Sequence, residues 1–420
     1  MPTPPERCDV AVIGAGIIGL SVARELTRRD PDMRVAVIER EPRLAAHQTS
    51  HNSGVVHAGI YYRPGSLKAR LCVTGARELR DYCERRAIAC REVGKVIVAL
   101  DESELAALDG LQQRAVANGV PRVERIGPER LRELEPAVRG VAALHSPATA
   151  IVDYSAVARA YAADVEAAAG SIALGCVVER IDSTGREAVV HHARGTTVAR
   201  HAIACAGAWA GHLAPPDERT RFVHFRGAYK QLRPQRAGLV NGLVYPVPDP
   251  ALPFLGMHFT RTVDDRTILG PTALAVGAPD AYRIARIAPR DAGRALAWPG
   301  TWRMARRWWR TALREVSTAA SGRAFLADAR RYVPALERGD LAPAGAGVRA
   351  QPVARDGSLV DDFLLSVQGR VLHVASAPSP AATSSLPLGR LIVERAHDAL
   401  GLGDHGSRTQ PPPPKEAERT

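Results

Sequence analysis

Residues 50–72 read SHNSGVVHAGIYYRPGSLKARLC, and they set a lone histidine, His57, between a polar, glycine-broken turn and the paired Tyr61 and Tyr62. Imidazole titrates near neutral pH, so a histidine in such a setting can take up or release a proton under ordinary conditions. The small residues Ala58 and Gly59 leave room beside it for a ligand. A second histidine, His258, sits in GMHFTR after a proline-broken apolar stretch. Both are candidate bases. Upstream, Gly14-Ala15-Gly16-Ile17-Ile18-Gly19 fits the G-x-G-x-x-G pattern of a nucleotide-binding turn. Together these residues suggest proton transfer beside a bound nucleotide.

The elements around the glycines support that reading. DVAVIGAG is a short apolar run ending in glycine, and IIGLSVARELTRR repeats apolar positions at helical spacing with arginines in its last turn. MRVAVIER is a second strand that ends at Glu39 and Arg40. This is a strand–helix–strand unit, so a parallel sheet is expected. Gly14 allows the tight turn, Gly16 lets backbone approach a pyrophosphate, and Gly19 lets helix and strand pack closely. The helix N-terminus at Ile17 offers N–H donors and the positive end of its dipole. Glu39, twenty residues after Gly19, can accept hydrogen bonds from a ribose diol, with Arg40 beside it.

Further along, 66–90 reads as a helix, 93–100 as a strand, 102–118, 128–135 and 153–169 as helices, 222–275 as mostly strand, 300–332 as helical and 371–375 as a strand. Two later segments return to the nucleotide. One is Ile203-Ala204-Cys205-Ala206-Gly207-Ala208-Trp209, an apolar strand ending in Ala-Gly; the other places Pro380, Ala381, Ala382 and Thr383 between a strand and a helix. Small residues there let backbone approach an isoalloxazine ring, which favours FAD over NAD. Thr49, Ser50, Asn52, Ser53 and Gly54 form the turn expected against that ring, and Val178, in the strand-like SIALGCVVERID, joins the cofactor set. The fold class expected is α/β. A Rossmann-type FAD-binding domain (1–90, 150–220 and 340–403) would carry an inserted, mostly antiparallel β-sheet substrate domain (91–149 and 221–339), with 404–420 a disordered tail.

The chain resembles the FAD-dependent oxidoreductases of the D-amino-acid oxidase and glycine oxidase superfamily. Within it the chain is most similar to the L-2-hydroxyglutarate oxidases and dehydrogenases. The resemblance rests on HNSGVVHAGIYYRPGSLKARLC (51–72), VYPVPDPALPFLGMHFTR (244–261), GVRAQPVARDGSLVDDFLL (347–365) and HVASAPSPAATSSLPLG (373–389), within a match over 8–400. It implies FAD as cofactor, oxidation of the 2-hydroxyl of a small dicarboxylic acid to give 2-oxoglutarate, and electrons passed to O2 or a quinone. An FAD-dependent amino-acid or amine oxidase is the alternative. For such a diacid, Arg349 and Tyr61 are the favoured carboxylate partners, with Lys68, Arg226 and Tyr245 behind them. The sequence departs from the relatives in FRGAYKQL, where Ala228 and Lys230 replace an acid and a tyrosine.

Composition limits the partners. The 420 residues carry 56 basic and 44 acidic side chains, a formal net charge of +12. Six cysteines show neither C-x-x-C pairing nor metal-like spacing, so no metal site is expected. No run approaches the length of a membrane-spanning helix, and the N-terminus lacks a signal peptide's pattern, so a cytoplasmic protein is expected. Outside residues 298–316, WPGTWRMARRWWRTALREV, there is no basic tract, and no nucleic-acid partner is expected. On one continuous helix those residues would set five arginines on a narrow arc opposite Trp302, Trp308 and Trp309. Such a helix suits an anionic membrane interface on the inner face of the cytoplasmic membrane, where a quinone could collect electrons.

Overall fold

In the computed structural model, residues 2–214, 218–249 and 255–402 are described; the tail at 404–420 lies outside them. Two large sheets and one small sheet position the site. The first large sheet has eight strands. Its centre is the Arg7–Ile13 strand, paired in parallel with Val35–Ile38 on one side and Gly195–Ala204 on the other. Val10–Ile13 and Val35–Ile38 are apolar and buried on both faces, as parallel strands covered by helices must be. The Ile17–Arg29 helix buries Leu20, Ala23 and Leu26 against them. The long Gly195–Ala204 strand works in two halves. Its start pairs antiparallel with Ala188–His192, and its end pairs in parallel with Val371–Ser376, the late return expected from the sequence.

The glycine turn is dictated by contact. Gly14 has a φ of +105°, and a Cβ there would lie 2.5 Å from the Cys205 carbonyl oxygen. A Cβ at Gly19 would collide with the Gly14 carbonyl. Only glycine allows strand, helix and the 203–209 return to converge.

The second large sheet has nine strands and is mostly antiparallel, with one parallel pair between Lys95–Ala99 and Leu243–Pro246. His258–Arg261 lies next to Leu243–Pro246. The strands Thr220–Leu232 and Leu341–Ala354 pair along most of their length and set Phe225 opposite Arg349. A three-stranded sheet, Val55–Val56, Ala150–Val152 and Cys90–Glu92, links the two halves. His57 follows its first strand directly.

Two expectations need correction. The helix expected at 66–90 runs from Leu67 to Arg85, and residues 90–92 are a strand. The single amphipathic helix expected at 298–316 is two helices, Pro299–Arg307 and Trp309–Ala320, broken at Trp308. The break lets the half-buried Trp308 pack on the small cluster of Val223, Met304 and Val353. Trp298 is also buried, with its Nε1–H donated to the Val353 carbonyl at 3.0 Å. The tryptophans that remain exposed are Trp302 and Trp309, at 60% and 53%.

Candidate active site

The cofactor half is assembled at the strand ends. Glu39 is buried, and its two carboxylate oxygens accept the Ala15 N–H at 2.6 Å and the Glu41 N–H at 2.8 Å. Burial pushes its carboxyl pKa up. Each oxygen keeps a second acceptor site for a hydroxyl. Thr49 Oγ1 accepts the Ile17 N–H at 3.0 Å and steadies the helix start. That helix has no acid in its first turn, and a Cβ at Gly16 would meet only Thr49 Oγ1 at 3.4 Å. An approach to the positive helix end is therefore open, as a pyrophosphate requires. Arg40 lies over the Trp209 ring, 4.1 Å from its centroid, and Ala206 and Gly207 open the short turn that carries Trp209. Val178 begins the Val178–Ser183 strand just beyond Cys176, whose N–H donates to the Glu39 carbonyl at 2.7 Å. These residues fit FAD.

The 49–54 turn is closed by its own side chains. Asn52 Nδ2 donates to the Gln48 and Thr49 carbonyls, and Asn52 Oδ1 accepts the Gly54 N–H. The Asn52 amide thus builds the turn, Ser50 Oγ donates to the His47 carbonyl, and half-buried Ser53 lies between them and Gly54. Opposite this turn, residues 380–384 form a second one, with the Ser384 N–H donated to the Pro380 carbonyl; Ala381 is buried and Ala382 half-buried. Thr383 joins the two. Its Oγ1 accepts the His57 N–H at 3.1 Å and sits 2.9 Å from the Tyr154 hydroxyl, which donates to the Val55 carbonyl. His57 is thereby tied to the residues expected along the flavin.

The second half gathers titratable groups. His57 Nδ1 is buried without a partner. Burial, with the Lys95 and His258 charges adding to it, pushes the imidazole pKa down to about 3, so it is neutral near pH 7. His258 Nδ1 lies 3.0 Å from the Gly256 carbonyl. A carbonyl can only accept, so Nδ1 carries the hydrogen and Nε2 holds the free lone pair. The ring stacks on Tyr245 with centroids 4.1 Å apart, and burial lowers its pKa to about 4. The Tyr61 hydroxyl is buried without a partner, and its ring faces the Lys95 ammonium.

The candidate carboxylate partners divide into three places. Tyr61 and Tyr245 lie with the histidines. Lys68 and Arg349 meet at Asp361, with Lys68 Nζ 2.7 Å and Arg349 Nη2 3.6 Å from Oδ1. Arg226 is held elsewhere, donating from Nε to the Tyr282 carbonyl at 2.8 Å, on the side where Tyr282 stacks on His51. Lys95 was missed by the sequence reading. Its strand is otherwise apolar and buried, and it is one of only four lysines in the chain. A charge inside such a run was the available signal, because lysine is almost never fully buried without a reason.

Among known proteins, the family model described as FAD dependent oxidoreductase matches residues 9–395. The L-2-hydroxyglutarate dehydrogenase of Indibacter alkaliphilus is 37% identical over 92% of this chain and 98% of its own. The mitochondrial L-2-hydroxyglutarate dehydrogenase of Nematostella vectensis is 39% identical over 95% of this chain and 92% of its own. Among solved structures, the L-alpha-glycerophosphate oxidase of Mycoplasma pneumoniae with FAD bound superposes with a TM-score of 0.75 at 23% identity, covering 94% of this chain and 95% of that one. The glycine oxidase of Geobacillus kaustophilus gives 0.69 at 20% identity, covering 94% and 95%. These two establish likeness of fold.

Proposed function

The chain belongs to the FAD-dependent oxidoreductase family, and from that premise we propose that it oxidises L-2-hydroxyglutarate to 2-oxoglutarate. The similarity to L-2-hydroxyglutarate dehydrogenases over more than nine-tenths of the chain is the observation that supports this reading. Bound FAD supplies a two-electron acceptor for the hydride leaving C2. The chain's own residues handle the proton and the charges. His57, neutral and anchored through its N–H to Thr383, takes the hydroxyl proton as C2–O becomes a carbonyl. His258, whose Nδ1–H is taken by the Gly256 carbonyl, offers its Nε2 lone pair to a substrate donor. Arg349 and Lys68, sharing the exposed Asp361, form a cationic pole for one carboxylate. Anaerobic mixing with L-2-hydroxyglutarate should bleach the flavin, while the D enantiomer, glycine, sarcosine and D-alanine should leave it yellow. Bleaching by neither enantiomer overturns the substrate.

For the electron acceptor we propose a quinone reached at the inner face of the cytoplasmic membrane. No helix of the described residues is long and apolar enough to cross a membrane. Yet Trp302, Trp309, Leu313 and Val316, on the two helices that carry the arginines, are exposed, each above 50%, as are Ile284, Ile287 and Leu296 earlier in the chain. Apolar side chains flanked by guanidinium groups suit an anionic lipid surface. Sedimentation with anionic liposomes at low salt is the measurement. Trp302→Ala combined with Trp309→Ala should abolish it with FAD retained, and Trp308→Ala should not, because Trp308 packs inward.

A further inference from the structure

We propose that Lys95 receives the second carboxylate of the substrate and thereby makes the site selective for dicarboxylic over monocarboxylic acids. The proposal rests on the 2-hydroxy-diacid reading above and extends it to a residue outside the set proposed there. Lys95 opens the Lys95–Ala99 strand in the middle of the nine-stranded sheet, with its Cα opposite Ser146 and Leu243. The residue is 2% exposed. Its ammonium lies 4.3 Å from the centre of the Tyr245 ring and 5.2 Å from that of Tyr61.

The titratable groups around it carry no negative charge near pH 7, because burial keeps the phenols and the thiol protonated and the imidazoles neutral. Residues 57–61 contribute His57 and Tyr61, the Leu243–Pro246 strand contributes Tyr245, the His258–Arg261 strand contributes His258, and the Leu67–Arg85 helix contributes Cys72. No carboxylate among the described residues pairs with the ammonium. Ring faces attract a cation but replace its lost hydration only in part. Burying an ammonium without a counter-ion is costly, and the protein keeps one here within electrostatic reach of both candidate bases.

The neighbouring atoms show what would relieve that cost. The Tyr61 hydroxyl and His57 Nδ1 are buried and unpartnered beside it. An ammonium and a phenol O–H, both donors, suit a carboxylate and offer nothing to a second cation. Arg349 and Lys68 already share Asp361 and form a separate, more exposed pole. In this assignment a diacid engages both poles, and a monoacid leaves one empty. Burial depresses the Lys95 pKa to about 8, so its charge is present below that pH and lost above it. Burial moves the other groups out of that range, the histidines downward and the tyrosines and Cys72 upward.

The test uses non-oxidisable acids and the FAD-loaded protein. Glutarate and butyrate are titrated against perturbation of the flavin spectrum in the wild-type protein, Lys95→Met and Lys95→Gln, from pH 6 to 10. Wild type should bind glutarate more tightly than butyrate by roughly 100-fold, the scale on which loss of one partner of a buried charge pair acts. Both variants should keep FAD and the butyrate constant but bring glutarate down to it. Wild-type glutarate affinity should fall as pH rises through about 8, while both variants should show no such fall. Variants that retain the wild-type ratio, or the fall above pH 8, overturn the assignment alone. A wild-type protein with no preference for glutarate overturns the diacid reading and the assignment with it. Loss of FAD from both variants also overturns it, because the role would then be structural.

Discussion

His57→Ala is expected to stay yellow and to reduce its flavin with L-2-hydroxyglutarate about 10²- to 10⁴-fold more slowly than wild type, the usual span for loss of a positioned base. FAD should remain because the anchor of this segment is main-chain. The His57 N–H donates to Thr383, and the Val55 carbonyl receives the Tyr154 hydroxyl, whatever side chain stands at 57. What alanine removes is a neutral imidazole whose buried Nδ1 has no internal partner. The pH profile gives an independent check. A histidine base works while neutral and fails as pH falls through its pKa. With that value pushed down to about 3, kcat/KM should show no acid limb near the ordinary histidine range. His258→Ala should act differently. It removes a stacked partner of Tyr245 together with an acceptor, so binding should suffer more than the reduction step. If His258→Ala instead shows the greater loss in the reduction rate, the base is His258, whose tautomer is already set by the Gly256 carbonyl.

Gly19→Val is expected to yield colourless, poorly folded protein. Its Cβ would run into the Gly14 carbonyl, with Cys205 Cβ a further 3.3 Å contact. Overpacking against movable side chains costs about 1–3 kcal/mol. Here the obstacle is main chain held by two strands, so a loss above that range is expected, read as a drop in Tm and in FAD per protein. Gly16→Ala separates folding from cofactor binding. Its Cβ has only Thr49 Oγ1 within reach, at 3.4 Å, so the fold should survive and only FAD affinity should weaken. Equal loss of Tm in both variants would contradict the pyrophosphate role of Gly16.

What the sequence disclosed followed the range of the interactions involved. The strand–helix–strand unit was legible because it depends on neighbours within thirty-odd residues, and Gly19 because its clash is with the nearby Gly14 carbonyl; the contact of Gly14 with Cys205 was not. The α/β class followed from the same unit, and FAD from the later returns at 203–209 and 376–383 together with the resemblance. The charge of Lys95 in an apolar run was a legible anomaly, but its partners were not, because its setting comes from far away. Tyr61, Tyr245, His57 and His258 reach it from separate stretches of chain, and nothing in VGKVIVAL announces them. The break at Trp308 was hidden for a related reason. Helical periodicity runs through 298–316 unbroken, whereas the packing that ends the first helix involves Val223 and Val353 on distant strands. Asn52 had the right composition for a flavin contact, but its amide is taken up by three backbone groups of its own turn.

The eight-stranded sheet is completed late in synthesis. The Ile17–Arg29 helix packs on the Ser385–Leu400 helix, where Ser21 Oγ donates to the Ser385 carbonyl at 2.7 Å and Arg29 pairs with Glu394. The Val371–Ser376 strand, from near the other end of the chain, completes the same sheet beside Gly195–Ala204. At about 5–20 residues per second, a ribosome needs on the order of tens of seconds to go from one to the other. During that interval the Ile17–Arg29 helix lacks the Ser385–Leu400 helix that covers its other side. Nascent chains arrested before residue 371 should therefore engage holdase chaperones and take up no flavin, however intact their nucleotide signature.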